Sequence, residues 1–168
     1  MKIILLIIII LFVLFFISFV ILGFISRSGK PAGLVNGKLS KCPGKPNCIC
    51  SEYEFVNDKL NYADPVFISE GITTEIISIF KSAIKGSGGT ITSENTDYMA
   101  AVFSSQIFGF VDDLEIRFDY ENNVIHMRSA SRVGYSDMGV NRVRINSITK
   151  LFYNKLQAGK NSETSSGR

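Results

Sequence analysis

The sequence predicts an α+β fold, in which an N-terminal transmembrane helix precedes a two-layer sandwich of a four-stranded antiparallel sheet and two helices. Three observations support this prediction. Residues 3–25 form an uncharged apolar run. Residues 72–85 and 137–157 carry apolar side chains at helical spacing. Residues 113–119 and 124–132 alternate between apolar and polar side chains, which is typical of strands.

The apolar run at residues 3–25 is long enough, at a rise of 1.5 Å per residue, to cross the roughly 30 Å hydrocarbon layer of a membrane. A cleaved secretory signal would have a shorter apolar core and a small-residue cleavage motif, and neither is present. We therefore expect residues 1–25 to be a retained anchor that contacts the lipid bilayer through residues 3–25. The rest of the 168-residue chain suits one hydrophobic core.

The charges around this run bear on the side of the membrane that the domain occupies. Five cations follow the run, and the positive-inside rule would keep them in the cytoplasm. The tail before the run is so short that signal-anchor insertion would export the domain, and the cysteine pattern fits an oxidising compartment. We expect a single-pass membrane protein with an exported domain. The five cations are Arg27, Lys30, Lys38, Lys41 and Lys45.

Residues 26–51 are rich in Gly, Pro, Lys, Ser and Asn, and we expect them to form a linker without a regular element. The linker ends in a cysteine motif, where Pro-Gly and Pro-Asn pairs can bring Cys42 and Cys48 to the ~5.5 Å Cα separation of a disulfide. Cys50 would then be a free thiol. Free thiols in a reducing compartment, and metal or nucleophilic chemistry, are the alternatives.

The domain is expected over residues 52–157. It begins with a helix at residues 72–85, with Thr73 as its N-cap and Gly86 as its stop. Two short strands follow at residues 90–93 and 98–105. The last helix is capped by Ser136 and Asp137 and runs to about residue 157, and the tail at 158–168 is expected to be disordered. Its expected inner stripe is Val140, Val143, Ile148, Leu151, Phe152 and Leu156.

The strands at residues 113–119 and 124–132 are expected to pair around a turn at 120–123. Each should have one buried face and one solvated face. Two registers keep the apolar faces together. We prefer the one that sets Glu115 opposite Arg128 and Arg117 opposite His126, because the other places two arginines directly across the ladder.

A polar cluster is predicted where the second of these strands leads into the last helix. Arg128 and Arg132 share one strand face, and the helix N-terminus that follows attracts negative charge. Guanidinium groups bind carboxylates and phosphates, so this edge is a candidate site for a polar or anionic ligand. The alternative is that the arginines pair with nearby acids and hold the sheet and helix together. The candidate residues are Asp112, Asp113, Arg128, Ser129, Ser131, Arg132, Ser136, Asp137, Asn141 and Arg142.

We assign no catalytic residue, metal ligand or cofactor. An enzyme, such as a hydrolase or transferase, would use His126 with Asp112 or Asp113. A thiol of Cys48 or Cys50 is the other candidate group. Zinc needs about four ligands, and His126 is the only histidine. Nucleic-acid binding is not expected, because the basic residues form no continuous stripe with interleaved aromatic side chains.

Three segments resemble the DUF1499 family, a family of unknown function. The first reads Cys-Pro-x-x-Pro-Asn-Cys at residues 42–48, and the second reads Gly-Phe-Val-Asp-Asp-Leu-Glu-Ile-Arg at 109–117. The third reads Ile-His-Met-Arg-Ser-Ala-Ser-Arg-Val-Gly-Tyr-Ser-Asp-Met-Gly-Val-Asn-Arg at 125–142. The resemblance spans about residues 33–157. Cys50 departs from the family pattern, which continues into serines.

The resemblance implies a membrane-anchored bacterial member, since the family is often membrane-associated or exported, and it implies no reaction. We expect a non-enzymatic binding or accessory module of the cell envelope, which holds a polar or anionic ligand or an envelope protein at the polar edge. A purely structural membrane-associated domain is a further alternative. The family's signature positions here are Cys42, Cys48, Asp112, Asp113, Arg128, Ser129, Ser131, Arg132, Ser136, Asp137, Asn141 and Arg142.

Overall fold

The computed structural model describes residues 1–53, 60–69 and 71–166, with side chains described as far as residue 161. The predicted α+β class and the N-terminal apolar helix are confirmed. The helices are α1 (Lys2–Ser28), α2 (Thr74–Gly86) and α3 (Val140–Ser166). The strands are β1 (Leu34–Val35), β2 (Lys38–Leu39), β3 (Cys48–Cys50), β4 (Val66–Phe67), β5 (Thr90–Glu94), β6 (Tyr98–Ser104), β7 (Val111–Asp119) and β8 (Val124–Ser131).

Helix α1 contains the apolar run and extends three residues beyond it. By length and composition it can cross a membrane. The buried residues of α1 are Gly23 and Ser26, and most of its large apolar side chains are exposed. An exposed apolar surface of this extent is typical of a segment that lipid or another protein covers.

The main sheet is antiparallel and has the strand order β3-β8-β7-β6-β5, with β4 also paired to β8. The β7–β8 ladder lies at its centre. In that ladder Glu115 lies opposite Arg128 and Arg117 lies opposite His126. The predicted register is therefore confirmed, and so is the connection at residues 120–123.

The sheet has six strands, so the prediction of four was wrong. Strands β3 and β4 add to it by pairing with β8. They are only three and two residues long, which is too short to show an alternating pattern. The segment at 26–51, expected to be a linker without a regular element, contains β3 and the β1–β2 hairpin.

Both faces of the sheet are covered. Helices α2 and α3 pack on one face, where the rings of Phe80 and Phe152 lie 5.3 Å apart above the strands. Residues 29–47, here called the N-terminal segment, cover the other face with a small cluster that includes Leu39 and the cysteines. The expected solvated face of β7 is consequently wrong, because Asp113 and Glu115 are buried there.

The two domain helices differ in how closely they follow the sequence prediction. Helix α2 has Thr73 as its N-cap, and the Thr73 hydroxyl accepts from the backbone N–H of Ile76 over 3.2 Å. Helix α3 buries the later part of its expected stripe, with Ile148 and Phe152 in the core and Leu151 and Leu156 packed against it. The first two positions of that stripe, Val140 and Val143, are 49% and 64% exposed. The buried positions of its first four turns are Asn141, Ile145, Ile148 and Phe152.

The end of α3 also differs from the prediction. The helix continues to Ser166, whereas an end near residue 157 and a disordered tail at 158–168 were expected. Residues 167 and 168 of that tail lie outside the described residues.

Candidate functional site

Arg128 lies on the sheet face that the N-terminal segment covers, and it pairs with a buried carboxylate. Its Nη1 donates to Glu115 Oε2 over 2.6 Å. Glu115 is fully buried and also accepts from the hydroxyl of Tyr98 (2.9 Å) and the backbone N–H of Gly33 (2.6 Å). This arginine is buried and satisfies an internal acid, and its Nε has no hydrogen-bond partner among the described residues.

Arg132 lies on the same face and joins the sheet to the end of α1. Its Nε and Nη2 donate to the two carboxylate oxygens of Asp113, over 2.9 and 2.7 Å. These bonds raise the pKa of Arg132. Its Nη1 donates to the carbonyls of Ser26 (3.2 Å) and Arg27 (3.3 Å), which are among the helix-end carbonyls that α1 cannot bond itself.

Arg144, on helix α3, organises the opposite face of the sheet. Its Nη2 donates to Asp112 Oδ2 over 2.6 Å, and its Nη1 donates to Ser129 Oγ over 2.9 Å and to Asn141 Oδ1. Its guanidinium carbon lies 4.5 Å from the centre of the Phe103 ring, which is a cation–π distance. Arg144 thus fixes the first turns of α3 against β7 and β8.

The amide of Asn141 completes this network. Its oxygen accepts from the Ser129 hydroxyl over 2.6 Å. Its Nδ2 donates to the carbonyl of Asn47 (3.0 Å) and to Ser131 Oγ (3.1 Å). Asn141 is fully buried, so its amide binds protein groups and is closed to solvent.

The loop between β8 and α3 is held by its own polar groups. The Asp137 carboxylate accepts from the backbone N–H of Asn141 (2.6 Å) and of Gly139 (3.0 Å), and so it caps α3 as expected. Ser136 Oγ accepts from the N–H of Met138 over 3.3 Å. Elsewhere on α3, Arg142 donates to backbone carbonyls at residues 60 and 62, away from this loop.

The polar edge predicted as one cluster is therefore two clusters on opposite faces of the sheet. Successive residues of a strand point to opposite faces, so Asp112 pairs with Arg144 of α3 while Asp113 pairs with Arg132 on the other face. For Arg128, Arg132 and Arg142 the contacts fit the structural alternative, in which the arginines tie elements together. The anionic site expected around Arg128 and Arg132 stays a prediction.

A cavity of about 560 Å³ lies between α1 and the end of strands β7 and β8, on the side that helix α3 covers. This volume falls within the roughly 300–1,000 Å³ typical of ligand pockets. Its apolar wall includes Phe19 and Leu22 of α1. The remaining apolar lining is Phe103, Phe110, Val111, Val133 and Val140.

The polar end of this cavity collects four of the predicted site residues, Asp112, Ser131, Ser136 and Asp137, together with Arg144. Two carboxylates and one guanidinium give this end a formal charge of about −1. An apolar wall with a few convergent polar groups is the arrangement of a small-molecule or lipid site. The arrangement suits binding of an amphiphilic molecule.

Sequence reasoning missed the residues that shape this cavity. Arg144 lines the cavity because its position on α3 faces β7 and β8. Phe19 and Leu22 line it because α1 docks on the domain. The alternation of side chains along a strand would have placed Asp112 and Asp113 on opposite faces of the sheet. No pattern in the sequence indicates that the apolar N-terminal helix forms one wall of the cavity.

His126 lies at the other end of the β7–β8 ladder. It pairs with Arg117, whereas Asp112 pairs with Ser131, five residues away and about 17 Å along the strand. Burial lowers the pKa of His126, which lines a separate open cavity of about 730 Å³ with Glu52 and others. The alternative in which His126 acts with Asp112 or Asp113 as an acid-base pair is inconsistent with this spacing.

The cysteines do not form a reactive centre. Cys42 and Cys48 form a disulfide, with their Cα atoms 5.6 Å apart. Cys50 is a buried free thiol, and burial raises its pKa to about 11. A protonated, enclosed thiol is a poor nucleophile. In the described part of the chain, no group of three or more His, Cys, Asp or Glu side chains is arranged to hold a metal ion.

Comparison of the sequence with family models finds a match over most of the domain. A family model described as "Protein of unknown function (DUF1499)" matches residues 38–152. The match contains every candidate site residue named above except those on α1. Neither a curated protein nor a solved structure matches the chain.

Proposed function

This chain belongs to the DUF1499 family of proteins of unknown function, and from that premise we propose that it is a membrane-anchored, non-enzymatic module that binds an amphiphilic ligand. The observation that carries the proposal is the cavity between α1 and the end of the β7–β8 ladder, which joins an apolar wall to a polar end. The anchor and the ligand site then share one helix.

The anchoring role of α1 is supported by its length and by its exposed apolar surface. It is also supported by the way the helix meets the domain. Ser26 is fully buried, where the Val111 N–H donates to its hydroxyl over 2.7 Å. A helix that is spanning at one end and docked at the other holds the domain beside the bilayer.

Binding is favoured over catalysis by the chemistry of the candidate groups. The acids Asp112 and Asp113 are engaged by Arg144 and Arg132. The Cys50 thiol is buried and has a raised pKa. The polar end of the cavity offers hydroxyls and partly occupied carboxylates, which can hold a ligand without activating a nucleophile.

Mass spectrometry of the intact full chain in nanodiscs of cell lipid tests the binding function. We expect the wild-type protein to retain a bound mass, and Val133→Trp to lose it because the larger ring fills the cavity. Val35→Trp adds the same ring at an exposed position away from the cavity and serves as the control. A wild-type spectrum that matches the Val133→Trp spectrum, with both proteins folded, would refute the proposal.

We also propose that the domain lies on the exported side of the membrane. The Cys42–Cys48 disulfide supports this side, because such bonds persist in oxidising compartments. Protease treatment of intact cells tests it. Degradation of the domain without lysis is the expected result, and protection until lysis would place the domain in the cytoplasm.

A further inference from the structure

We propose that the ligand is a lipid of the surrounding bilayer, with one chain against α1 and a headgroup that donates hydrogen bonds and carries no net negative charge. The inference rests on the proposed binding function and specifies its ligand class. Four features of the described residues carry it: the wall formed by α1, the β6–β7 connection that follows α1, the exposed apolar side chains on the opposite rim, and the charge of the polar end.

The wall formed by α1 sets the level of the cavity. Phe19 and Leu22 line it, and both belong to the apolar run of α1. Phe19 lies seven residues before the docked Ser26, which is about 10 Å along a helix. If α1 spans the bilayer, the mouth of the cavity reaches the boundary between headgroups and lipid chains. A lipid chain can then enter sideways without crossing water.

The connection between β6 and β7 follows α1 in the same direction. The Phe108 ring lies 5.7 Å from Phe16 and 5.1 Å from Phe19, and the Phe110 ring lies 6.1 Å from Phe19. Ile107, at the tip, is 84% exposed. Large apolar side chains at the exposed tip of a loop are typical of a surface that another apolar phase covers.

The opposite rim of the cavity carries exposed apolar side chains as well. Tyr135, Met138 and Val140 lie in or next to the β8–α3 loop and are 69%, 98% and 49% exposed. Their neighbours Ser136 and Asp137 line the cavity. Exposed apolar residues on both rims are typical of a surface that contacts membrane.

The polar end determines which headgroup fits. Asp112 and Asp137 outnumber Arg144, whose guanidinium already donates to Asp112, Ser129 and Asn141. A phosphate with an open negative charge would be repelled here, whereas hydroxyl or ammonium donors can bond to the carboxylates and to Ser131. A neutral, hydroxyl-bearing headgroup is the simplest lipid of this class.

Photo-crosslinking of the full chain in phosphatidylcholine nanodiscs tests the inference. The probe is a monoacylglycerol with a diazirine on its chain, and labelled residues are identified by mass spectrometry of peptides. Probe molecules in the bulk bilayer will label the exposed length of α1 in every case. We expect additional labelling at Phe103, which lines the cavity away from α1, and loss of that labelling in Val133→Trp.

Competition identifies the headgroup. We expect unlabelled monoacylglycerol to abolish labelling at Phe103, and phosphatidic acid at the same concentration to leave it. Labelling confined to α1 would overturn the lipid assignment, and equal displacement by phosphatidic acid would overturn the headgroup assignment. If Phe103 is unlabelled while the intact protein still retains a mass that Val133→Trp loses, the binding function holds and its ligand is not a lipid.

Discussion

Glu115 is the acid that ties the centre of the sheet to the N-terminal segment. Its side chain is fully buried and accepts from Arg128, from the Tyr98 hydroxyl and from the Gly33 N–H. Removing one partner of a buried ion pair leaves the other charge without compensation, and this costs about 3–5 kcal/mol. We expect Glu115→Gln to lower the free energy of unfolding of the full chain in detergent by that amount, as measured by urea denaturation.

A surface ion pair provides the control for this prediction. Lys81 and Glu94 pair on the exposed side of α2 and β5, with side chains 32% and 40% exposed. Exposed pairs contribute about 0–1 kcal/mol. Glu94→Gln should therefore change the stability little, and a loss as large as that of Glu115→Gln would contradict the role given to the buried pair.

The Cys50 thiol predicts a dependence of stability on alkaline pH. Burial raises its pKa from 9.0 to about 11, so the folded chain binds this proton more tightly than the unfolded chain does. The resulting stabilisation is complete below pH 9 and is lost as the pH rises to 11. Over this interval we expect the free energy of unfolding to fall by about 2–3 kcal/mol through Cys50.

Urea denaturation of wild type and Cys50→Ala at several pH values checks this prediction. Burial also raises the pKa of Tyr98, so both proteins should lose stability at high pH. The slope should be shallower for Cys50→Ala. Parallel curves for the two proteins would show that Cys50 titrates in the folded chain as it does in the unfolded one.

At the residue scale, the sequence predicted which residues lie opposite each other in the sheet better than it predicted what their side chains do. The opposition of Glu115 and Arg128 could be predicted because like charges exclude the other register. Burial of that pair could not be predicted, because the segment that covers it has no apolar periodicity. Four predicted site residues do line the cavity, but Arg144 was left out, since its contribution depends on the face that α3 buries.

Helix α1 docks on the domain through small residues. A Cβ atom added to Gly23 would lie 2.2 Å from the backbone oxygen of Phe108, so the helix or the loop would have to move. We expect Gly23→Ala to loosen the docking without preventing membrane insertion. Amide hydrogen exchange of Val111 reports this directly, because its N–H donates to Ser26 Oγ, and the exchange should become faster.

The control for this change is Gly86→Ala. A Cβ atom at Gly86 meets no heavy atom within 4 Å, and Ala favours a helix by roughly 0.5–1 kcal/mol relative to Gly. Exchange at Val111 should then stay as in the wild type. Unchanged exchange in Gly23→Ala would mean that α1 is not held by the 108–111 segment.

At the element scale, prediction succeeded where a pattern extends over many residues. The β7–β8 pair and α2 have long periodic signals, and their positions were predicted to within one or two residues. Strands β3 and β4 are too short for such a signal. The β1–β2 hairpin has a local signal that the sequence prediction did not use, Asn36-Gly37 with φ of 52° and 74°, which is typical of a two-residue turn.

Helix α3 shows the limit of apolar patterns. The predicted stripe began with Val140 and Val143, which are exposed. The buried face instead includes Asn141, whose amide is satisfied by Ser129, Ser131 and Asn47. A polar residue with buried hydrogen-bond partners cannot be recognised as a core position from hydrophobicity alone.

At the scale of the whole molecule, the helix at the N-terminus serves two purposes in this account. It is apolar and long enough to span a membrane, and its last turns form one wall of the cavity at the end of the β7–β8 ladder. Both rims of the cavity carry exposed apolar side chains, such as Ile107 and Met138. Under the proposed function, the membrane would supply both the support of the domain and the ligand.

The position of the cavity mouth relative to the bilayer is the central claim, and spin labelling measures it most directly. Nitroxides are placed at Ile107→Cys, on the rim, and at Val35→Cys, on the β1–β2 hairpin, in the full chain in phosphatidylcholine nanodiscs. We predict that the label at position 107 is relaxed by oxygen, which concentrates in lipid, and is shielded from a water-soluble nickel chelate, while position 35 shows the reverse. Equal relaxation of both labels by the nickel chelate would contradict the account.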